Sequence, residues 1–320
     1  MLKVFTKFLN KLLILKKSQI IFSKPKQNNI LIFDEKGSTH PCYNLFLNQK
    51  PEKLHVLGEK INLYVLLKLI TNLKIPSIKS YIDEYINCVK PKFIFHNSYN
   101  IRFFELNKNN FNFSFKKIFT QSELKNHLDF NEFIGNKINL NCDHLLVWSE
   151  GMKKKLSKHI DGNYLITGSY LNNNGPVIDK KNFKNKLSFI SQFRTFKKIN
   201  KYDDTKTIRE VFHGLKFSWE QFYSADLNVA LDLKKFCNEN EIEFEVIGTS
   251  IDNKDTEKSF FKNKLGDRGW TFVESDKNKR GIYLTTESKY IVTIDSTLGY
   301  ECLARGQRVN FFSIRSQYLK

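Results

Sequence analysis

Cysteine is scarce in this chain and never closely spaced: Cys42, Cys88, Cys142, Cys237 and Cys302 include no C-x-x-C pair, and their number is odd. That argues against a disulfide framework or a thiolate zinc site and fits a reducing cytoplasm. The seven histidines form no H-x-x-x-H or H-x-x-E pair on a helix-like stretch, and no D-x-D run offers carboxylates to a metal-bound donor. Neither a metal nor a cofactor is expected. The G-x-x-x-x-G-K-S/T loop is missing, as is a G-x-G-x-x-G after a strand, which disfavours ATPase and ordinary dinucleotide-dehydrogenase chemistry. Arginine is rare too: the formal net charge is +19, yet only eight of the 52 basic residues are arginine. Base readout favours arginine, so the lysine-rich charge reads as solvated surface attractive to anionic lipid or phosphate-bearing ligands, with no specific nucleic-acid partner expected.

Acid is absent from residues 1–28, where Lys3, Lys7, Lys11, Lys16, Lys17, Lys24 and Lys26 interleave with leucine, isoleucine, valine and phenylalanine. No uninterrupted apolar run there approaches the ~20 residues of a membrane span. Lysines break the apolar region and no small-residue cleavage site follows, unlike a secretory signal. Two readings stay open, a basic amphipathic helix on the anionic inner leaflet of the cytoplasmic membrane and a helix packed on its own domain.

What is present points to an α/β chain. Hydrophobic residues make up 41% and charged residues 27%, as in soluble globular proteins, and 320 residues suffice for two domains. Short strand-like runs at 29–33, 93–95, 117–120, 144–148 and 164–167 alternate with helical spacing over 63–73, 81–89 and 151–159. Residues 168–186 are rich in asparagine, lysine and glycine and lack an apolar period. A second series follows, with strands at 187–190, 244–247, 270–273, 290–294 and 309–312 and helices at 225–238 and 299–305. Such alternation predicts parallel sheets covered by helices. The expected organisation is the basic segment 1–28, a Rossmann-like N-terminal domain over 29–170, a linker over 171–186 and a Rossmann-like C-terminal domain over 187–320. Residues 194–218 are polar and irregular, and no element is assigned to them.

The richest segment is 290–315, YIVTIDSTLGYECLARGQRVNFFSIR. A β-branched strand runs into Asp295, Ser296 and Thr297, which can cap a helix that Gly306 then stops. A strand follows, making a β-α-β unit with a polar crevice at the carboxyl end of its first strand. Thr297 and Glu301 share a helix face. The Ser296 and Thr297 amides pointing from the helix N-terminus suit a phosphate, and the Glu301 carboxylate suits a ribose diol. A plain helix cap with a solvated Glu301 accounts for the same residues equally well. Arg305, four residues after Glu301, reads as its intrahelical ion-pair partner.

This segment resembles the signature of surface-carbohydrate (O-antigen and capsule) biosynthesis proteins related to GT-B glycosyltransferases, in which a DSTLGYE-x-LARG run precedes an FFS-x-R strand. The matching residues are 295–301, 303–306 and 311–315, Gly299 and Arg315 among them. Weaker similarity runs from residue 29 onward, through FDEKGS, VKPKFIF, VWSEGMKKKL, ITGSYLNN and ISQFR. The resemblance implies two Rossmann-like domains facing a cleft, with the acceptor on the N-terminal domain and a nucleotide-activated sugar on the C-terminal one. It implies a lipid-linked or glycan acceptor and a role in surface polysaccharide assembly, lipopolysaccharide or capsule. The family's pattern continues into further helical sequence where this chain stops at Lys320, so part of the sugar-facing wall is expected to be missing.

Sugar transfer needs a base for the acceptor's proton and cations or amides for the departing phosphate. Asp34, Glu35 and His40 follow the first strand of the N-terminal domain and are the base candidates, with Glu35 first. Asp34 also reads as a turn-former. Ser191, Gln192 and Arg194 follow the first strand of the C-terminal domain, where the Arg194 fork can pair with a diphosphate. Arg315, beyond a buried-type strand, is a further cation for that cleft. His96, Asn97 and Ser98 follow another strand and are weaker candidates for lining it. Polyol-phosphate transfer from a nucleotide-linked donor fits the same features, and a non-catalytic basic protein binding RNA or polysaccharide is the reading from another class.

Overall fold

A computed structural model describes residues 19–34, 46, 48–56, 60–75, 77–122, 140–193, 208–210, 216–248, 254–275 and 281–312, without the side chains of 208–210, 216–225 and 254. The chain divides into two compact units, Met1–Leu171 and Asn172–Lys320.

Unit 1 begins with β1 (Gln19–Ile21), then β2 (Ile30–Ile32), β3 (Glu52–Lys53) and β4 (Lys60–Asn62). Helices α1 (Leu63–Thr71) and α2 (Ile78–Val89) lead to β5 (Phe93–His96), α3 (Ile101–Phe104), β6 (Lys116–Thr120), β7 (Leu140–Val147), α4 (Glu150–Leu156) and β8 (Ile160–Ile166). Six strands form one parallel sheet in the order β3-β2-β5-β6-β7-β8. All three residues of β2 are buried, as a strand covered on both faces requires. The helices start where polar side chains cap them. Asn62 accepts from the Val65 amide, Ser77 and Ser80 form a reciprocal capping box, and Ser149 accepts from the Met152 amide. The three lysines of α4 lie in its last turn, where a cation meets the negative end of the helix.

Residues 19–28 are not helical. Gln19–Ile21 pairs in parallel with Lys60–Asn62 as a separate two-stranded sheet, so the amphipathic-helix expectation fails over this part of the basic segment. Residues 1–18 lie outside the described set.

Unit 2 follows the short helix α5 (Tyr170–Asn173) that spans the boundary. Its first strand, β9 (Lys184–Ile190), starts inside the expected linker. A small antiparallel pair, β10 (Ile208–Glu210) and β11 (Lys216–Ser218), occupies part of the segment left unassigned from sequence. The chain continues through α6 (Trp219–Glu239), β12 (Glu243–Ile247), α7 (Lys254–Leu265), β13 (Thr271–Val273), α8 (Gly281–Leu284), β14 (Ser288–Thr293), α9 (Thr297–Ala304) and β15 (Arg308–Phe311). Five strands form a parallel sheet in the order β13-β12-β9-β14-β15. Leu187 and Phe189 pack on one face with Phe244, Val246 and Phe261, while Ile190 meets Ile291 and Cys302 in a separate cluster. At mid-sheet Lys186 pairs with Glu245 at 3.0 Å, and Ser188 and Ser288 also bond that carboxylate. Every partner there is buried, so the ion pair is fully enclosed but hydrogen-bonded. Both units are thus Rossmann-like parallel-sheet α/β structures, as expected from the sequence. Among the described residues no helix is long and apolar enough to cross a membrane.

Candidate functional site

In open parallel sheets ligands bind outside the carboxyl ends of the strands where the strand order reverses. Unit 2 has one such point, between β9 and β14, because the chain builds β12 and β13 on one side of β9 and then β14 and β15 on the other. Ile190 and Thr293 are register partners at the ends of these two strands. Ser191 and Gln192 therefore emerge beside Asp295, Ser296 and Thr297, and two sets of residues named from sequence are brought together.

Ser191 is fully buried, and its hydroxyl accepts from the Phe193 amide at 3.1 Å, shaping the turn that leaves β9. Ser296 is the N-cap of α9, its hydroxyl accepting from the Leu298 amide at 3.3 Å. Its own N–H donates to Thr293 Oγ1 at 3.4 Å, and the Gly299 N–H to the Ser296 carbonyl at 3.0 Å. Of the two amides expected to point outward, that of Ser296 is taken up inside the turn, while the N–H of Thr297 has no partner among the described residues. Asp295 is exposed at the mouth of this turn.

Glu301 is buried, 5% exposed, which removes the solvated-residue reading. Arg305 is not its ion-pair partner. The guanidinium donates to the Ile282 carbonyl at 3.0 Å and to Thr285 Oγ1 at 3.3 Å, touching Glu301 only through the backbone carbonyl at 3.4 Å. It ties α9 to the segment entering β14, a role that i, i+4 spacing could not reveal. Gly299 has a packing reason: a Cβ there would stand 2.6 Å from Thr293 Cγ2 and 3.0 Å from the Phe311 ring. Thr293 went unnamed from sequence, yet its hydroxyl also donates to the Ile190 carbonyl at 3.4 Å and so joins both strand ends of the crevice. Its only sequence signal was a hydroxyl on the last residue of a buried strand. Arg194 and Arg315 lie outside the described residues.

Unit 1 reverses between β2 and β5. Asp34 leaves the first of these strands, 4% exposed, and His96, Asn97 and Ser98 end the second. Glu35 and His40 lie outside the described residues. Burial pushes the His96 imidazole down to about 3, so the ring is neutral. Its Nε2 is 3.1 Å from Ser98 Oγ and its Nδ1 has no hydrogen-bond partner among the described residues, while the ring packs on Phe33 and Phe103. One neighbour on this edge was missed from sequence. Gln121, after β6, accepts from the Trp148 amide at 3.0 Å through Oε1 and from the indole N–H at 2.8 Å through its carbonyl. A lone glutamine after a strand gives no pattern to find.

Fold and crevices together define a doubly wound α/β protein of two units, each with a polar switch point. A family model described as "putative O-antigen biosynthesis protein" matches residues 125–320, and the chain belongs to that family. No curated protein matches it. Among solved structures the chain is similar to UDP-GlcNAc 2-epimerase from Neisseria meningitidis bound to UDP-GlcNAc, at 10% identity and a TM-score of 0.47, covering 89% of this chain and 82% of that one. It is similar to the S. aureus MnaA–UDP co-structure at 13% identity and 0.48, covering 88% and 78%. Similarity to E. coli heptosyltransferase WaaC with ADP-2-deoxy-2-fluoro heptose is 9% and 0.35, covering 88% and 87%. At these scores the likenesses are too distant to assign a reaction.

Proposed function

We propose that this chain is a GT-B-like glycosyltransferase of O-antigen biosynthesis, moving a sugar from a nucleotide-activated donor to a lipid-linked or glycan acceptor. The supporting observation is that the family-matched residues 295–301 open the crevice of unit 2 beside Ser191 and Gln192. The donor phosphates are assigned to the Thr297 amide and Asp295–Thr297 turn with Arg194 and Arg315, and the ribose diol to Glu301. Already desolvated by the fold, Glu301 loses little water when a diol bonds it. The acceptor is assigned to unit 1, with Glu35 taking its hydroxyl proton ahead of Asp34 and His40. The acceptor oxygen then bonds the anomeric carbon while the bond to the nucleotide phosphate breaks, and the Thr297 amide and the two arginines stabilise the departing charge. Residues 1–28 are assigned to the anionic inner face of the cytoplasmic membrane.

Titration of UDP and CDP into the parent, Ser296→Ala and Glu301→Gln tests the donor site. Each variant should bind about tenfold more weakly, the loss of one polar contact, with its fold intact. Unchanged affinity in both removes 295–301 from the donor site. Product analysis with lipid-linked acceptor separates sugar from polyol-phosphate transfer, and transfer of neither from any nucleotide donor sinks the enzyme reading.

A further inference from the structure

Helix α1 is apolar almost all round: LYVLLKLIT carries a single charge, Lys68. Such a helix is normally enclosed, yet only Val65 and Leu69 are buried, while Leu67 and Ile70 are 54% and 58% exposed. The turn into α2 continues the patch, with Leu73 94% exposed, Ile75 86% and Ile78 51%. Five large aliphatic side chains thus stand in water along one helix and its exit. Single exposed leucines need no explanation, but a contiguous sequence of them marks a contact surface.

The backbone sharpens this. Helix α1 ends in a Schellman motif, with the Lys74 N–H bonded to the Leu69 carbonyl and the Leu73 N–H to the Ile70 carbonyl. The residue between must take a left-handed conformation, and Leu73 does so at φ 53. Helix α9 ends in the same pair of bonds, Gln307 to Cys302 and Gly306 to Leu303, and there the left-handed position holds glycine at φ 80. The other described non-glycine residues with positive φ, Lys50, Lys90 and Glu241, are charged. At Leu73 both backbone conformation and solvation argue for glycine or a polar residue. Leucine is favourable there only if the side chain leaves water.

Charge narrows the occupant. No acid occurs between residues 60 and 82, where Lys60, Lys68, Lys74 and Lys79 flank the apolar side chains. Lys68 and Lys74 share one carboxylate, Glu84, at 2.8 and 3.0 Å, and Asp83 faces Lys79 and Lys74, so the four lysines still outnumber the two acids beside them. The patch is also tied to β1, in the acid-free stretch: β1 pairs with β4, whose last residue, Asn62, caps α1, and Phe22 directly after β1 is 71% exposed. Aliphatic side chains ringed by lysine complement an anionic bilayer, apolar tips in the acyl boundary and ammonium groups among the phosphates.

We infer that the outer face of α1 and the α1–α2 turn form a membrane-docking surface of unit 1, with Leu73 and Ile75 entering the lipid. This surface is built from residues 67–78 and does not depend on which reaction the crevices perform. The test uses the whole chain and vesicles of phosphatidylglycerol in phosphatidylcholine, so that residues 1–28 contribute equally to every variant. Leu73→Gly should lower vesicle affinity about tenfold or more, from the loss of one inserted aliphatic side chain, while its unfolding midpoint stays level or rises because glycine suits the left-handed position. Binding should also weaken on pure phosphatidylcholine. In an independent readout, Ile75→Trp should add blue-shifted emission when phosphatidylglycerol vesicles are mixed in. Parent-like vesicle affinity in Leu73→Gly, or added indole emission in Ile75→Trp that does not move, overturns the inference. A parent that self-associates through this face, losing the association but not lipid affinity in Leu73→Gly, assigns it to a second copy of the chain and overturns it equally.

Discussion

Lys117 leaves β6 with a fully buried side chain, and its ammonium is 3.1 Å from the Leu106 carbonyl, 3.2 Å from that of Phe104 and 3.5 Å from that of Phe103. These carbonyls lie at and just past the end of α3, so a lysine supplies the donor that a helix C-terminus lacks. Burial pushes the amine down to about 8, with Cys142 and Asp143 opposing the shift and Lys108 reinforcing it. Below pH 8 both folded and unfolded chains hold the proton, and the native state bears the full cost of enclosing a charge. From pH 8 to 10.5 the folded chain has released a proton that the unfolded chain keeps, so stability rises with pH; above 10.5 the gain is complete. Lys117→Met should lack this rise, roughly 3 kcal/mol across the window, when urea midpoints of parent and variant are compared from about pH 7 to 11. Parallel profiles would show that Lys117 holds its proton equally well in the folded and unfolded chains, so that burial does not depress it. At this scale the sequence was least informative, since nothing in FKKIFT, residues 115–120, distinguishes the buried Lys117 from the surface Lys116 beside it.

Helix α9 shows what a short motif specifies and what it leaves open. Ser296 as cap, Gly306 as stop and the flanking strands were legible because each follows from local chemistry: a hydroxyl that accepts an amide, a residue tolerant of positive φ, β-branched runs that suit a covered sheet. The packing behind Gly299 was not, because it depends on Thr293 and Phe311 from two strands meeting one helix turn. Gly299→Ala should therefore destabilise by about 1–3 kcal/mol, the range for forcing a methyl into a filled contact, and lower nucleotide affinity by displacing α9. A thermal unfolding midpoint equal to the parent's would show that the contact yields freely. Elements missed altogether share a cause. Strand β1 is three residues whose partner lies some forty positions on, and α7, KDTEKSFFKNKL, buries Glu257, Phe260, Phe261 and Leu265 at helical spacing, but one of the four is a carboxylate, which leaves only three apolar residues to signal the period. Pairing between distant segments and sparse burial both escape a reading based on local pattern.

Among the described residues each buried cluster lies within one unit, the larger ones centred on Leu31, Phe103, Phe119 and Leu145 in unit 1 and on Phe189, Val246 and Phe261 in unit 2. Units with their own cores unfold as separate cooperative blocks when their stabilities differ. Urea denaturation followed by circular dichroism and by a nucleotide-displacement signal should resolve two transitions, only one of them shifted by UDP or by Gly299→Ala. A single transition moved as a whole by either would mean that the halves melt together.

The strand order of unit 2 has a consequence in time. Strand β9 acquires β12 on one side from residues 57 positions away, as Ser188 bonds Glu245, but it acquires β14 on the other from about a hundred away, as Thr293 bonds Ile190. The nearer pairing closes the smaller loop and leaves a three-stranded half-sheet as a natural waypoint. The crevice does not exist at that waypoint, since one of its walls has yet to arrive. Ligand competence is then a late event in the life of each molecule, and a nascent or refolding chain can be compact, helical and largely buried while still blind to nucleotide.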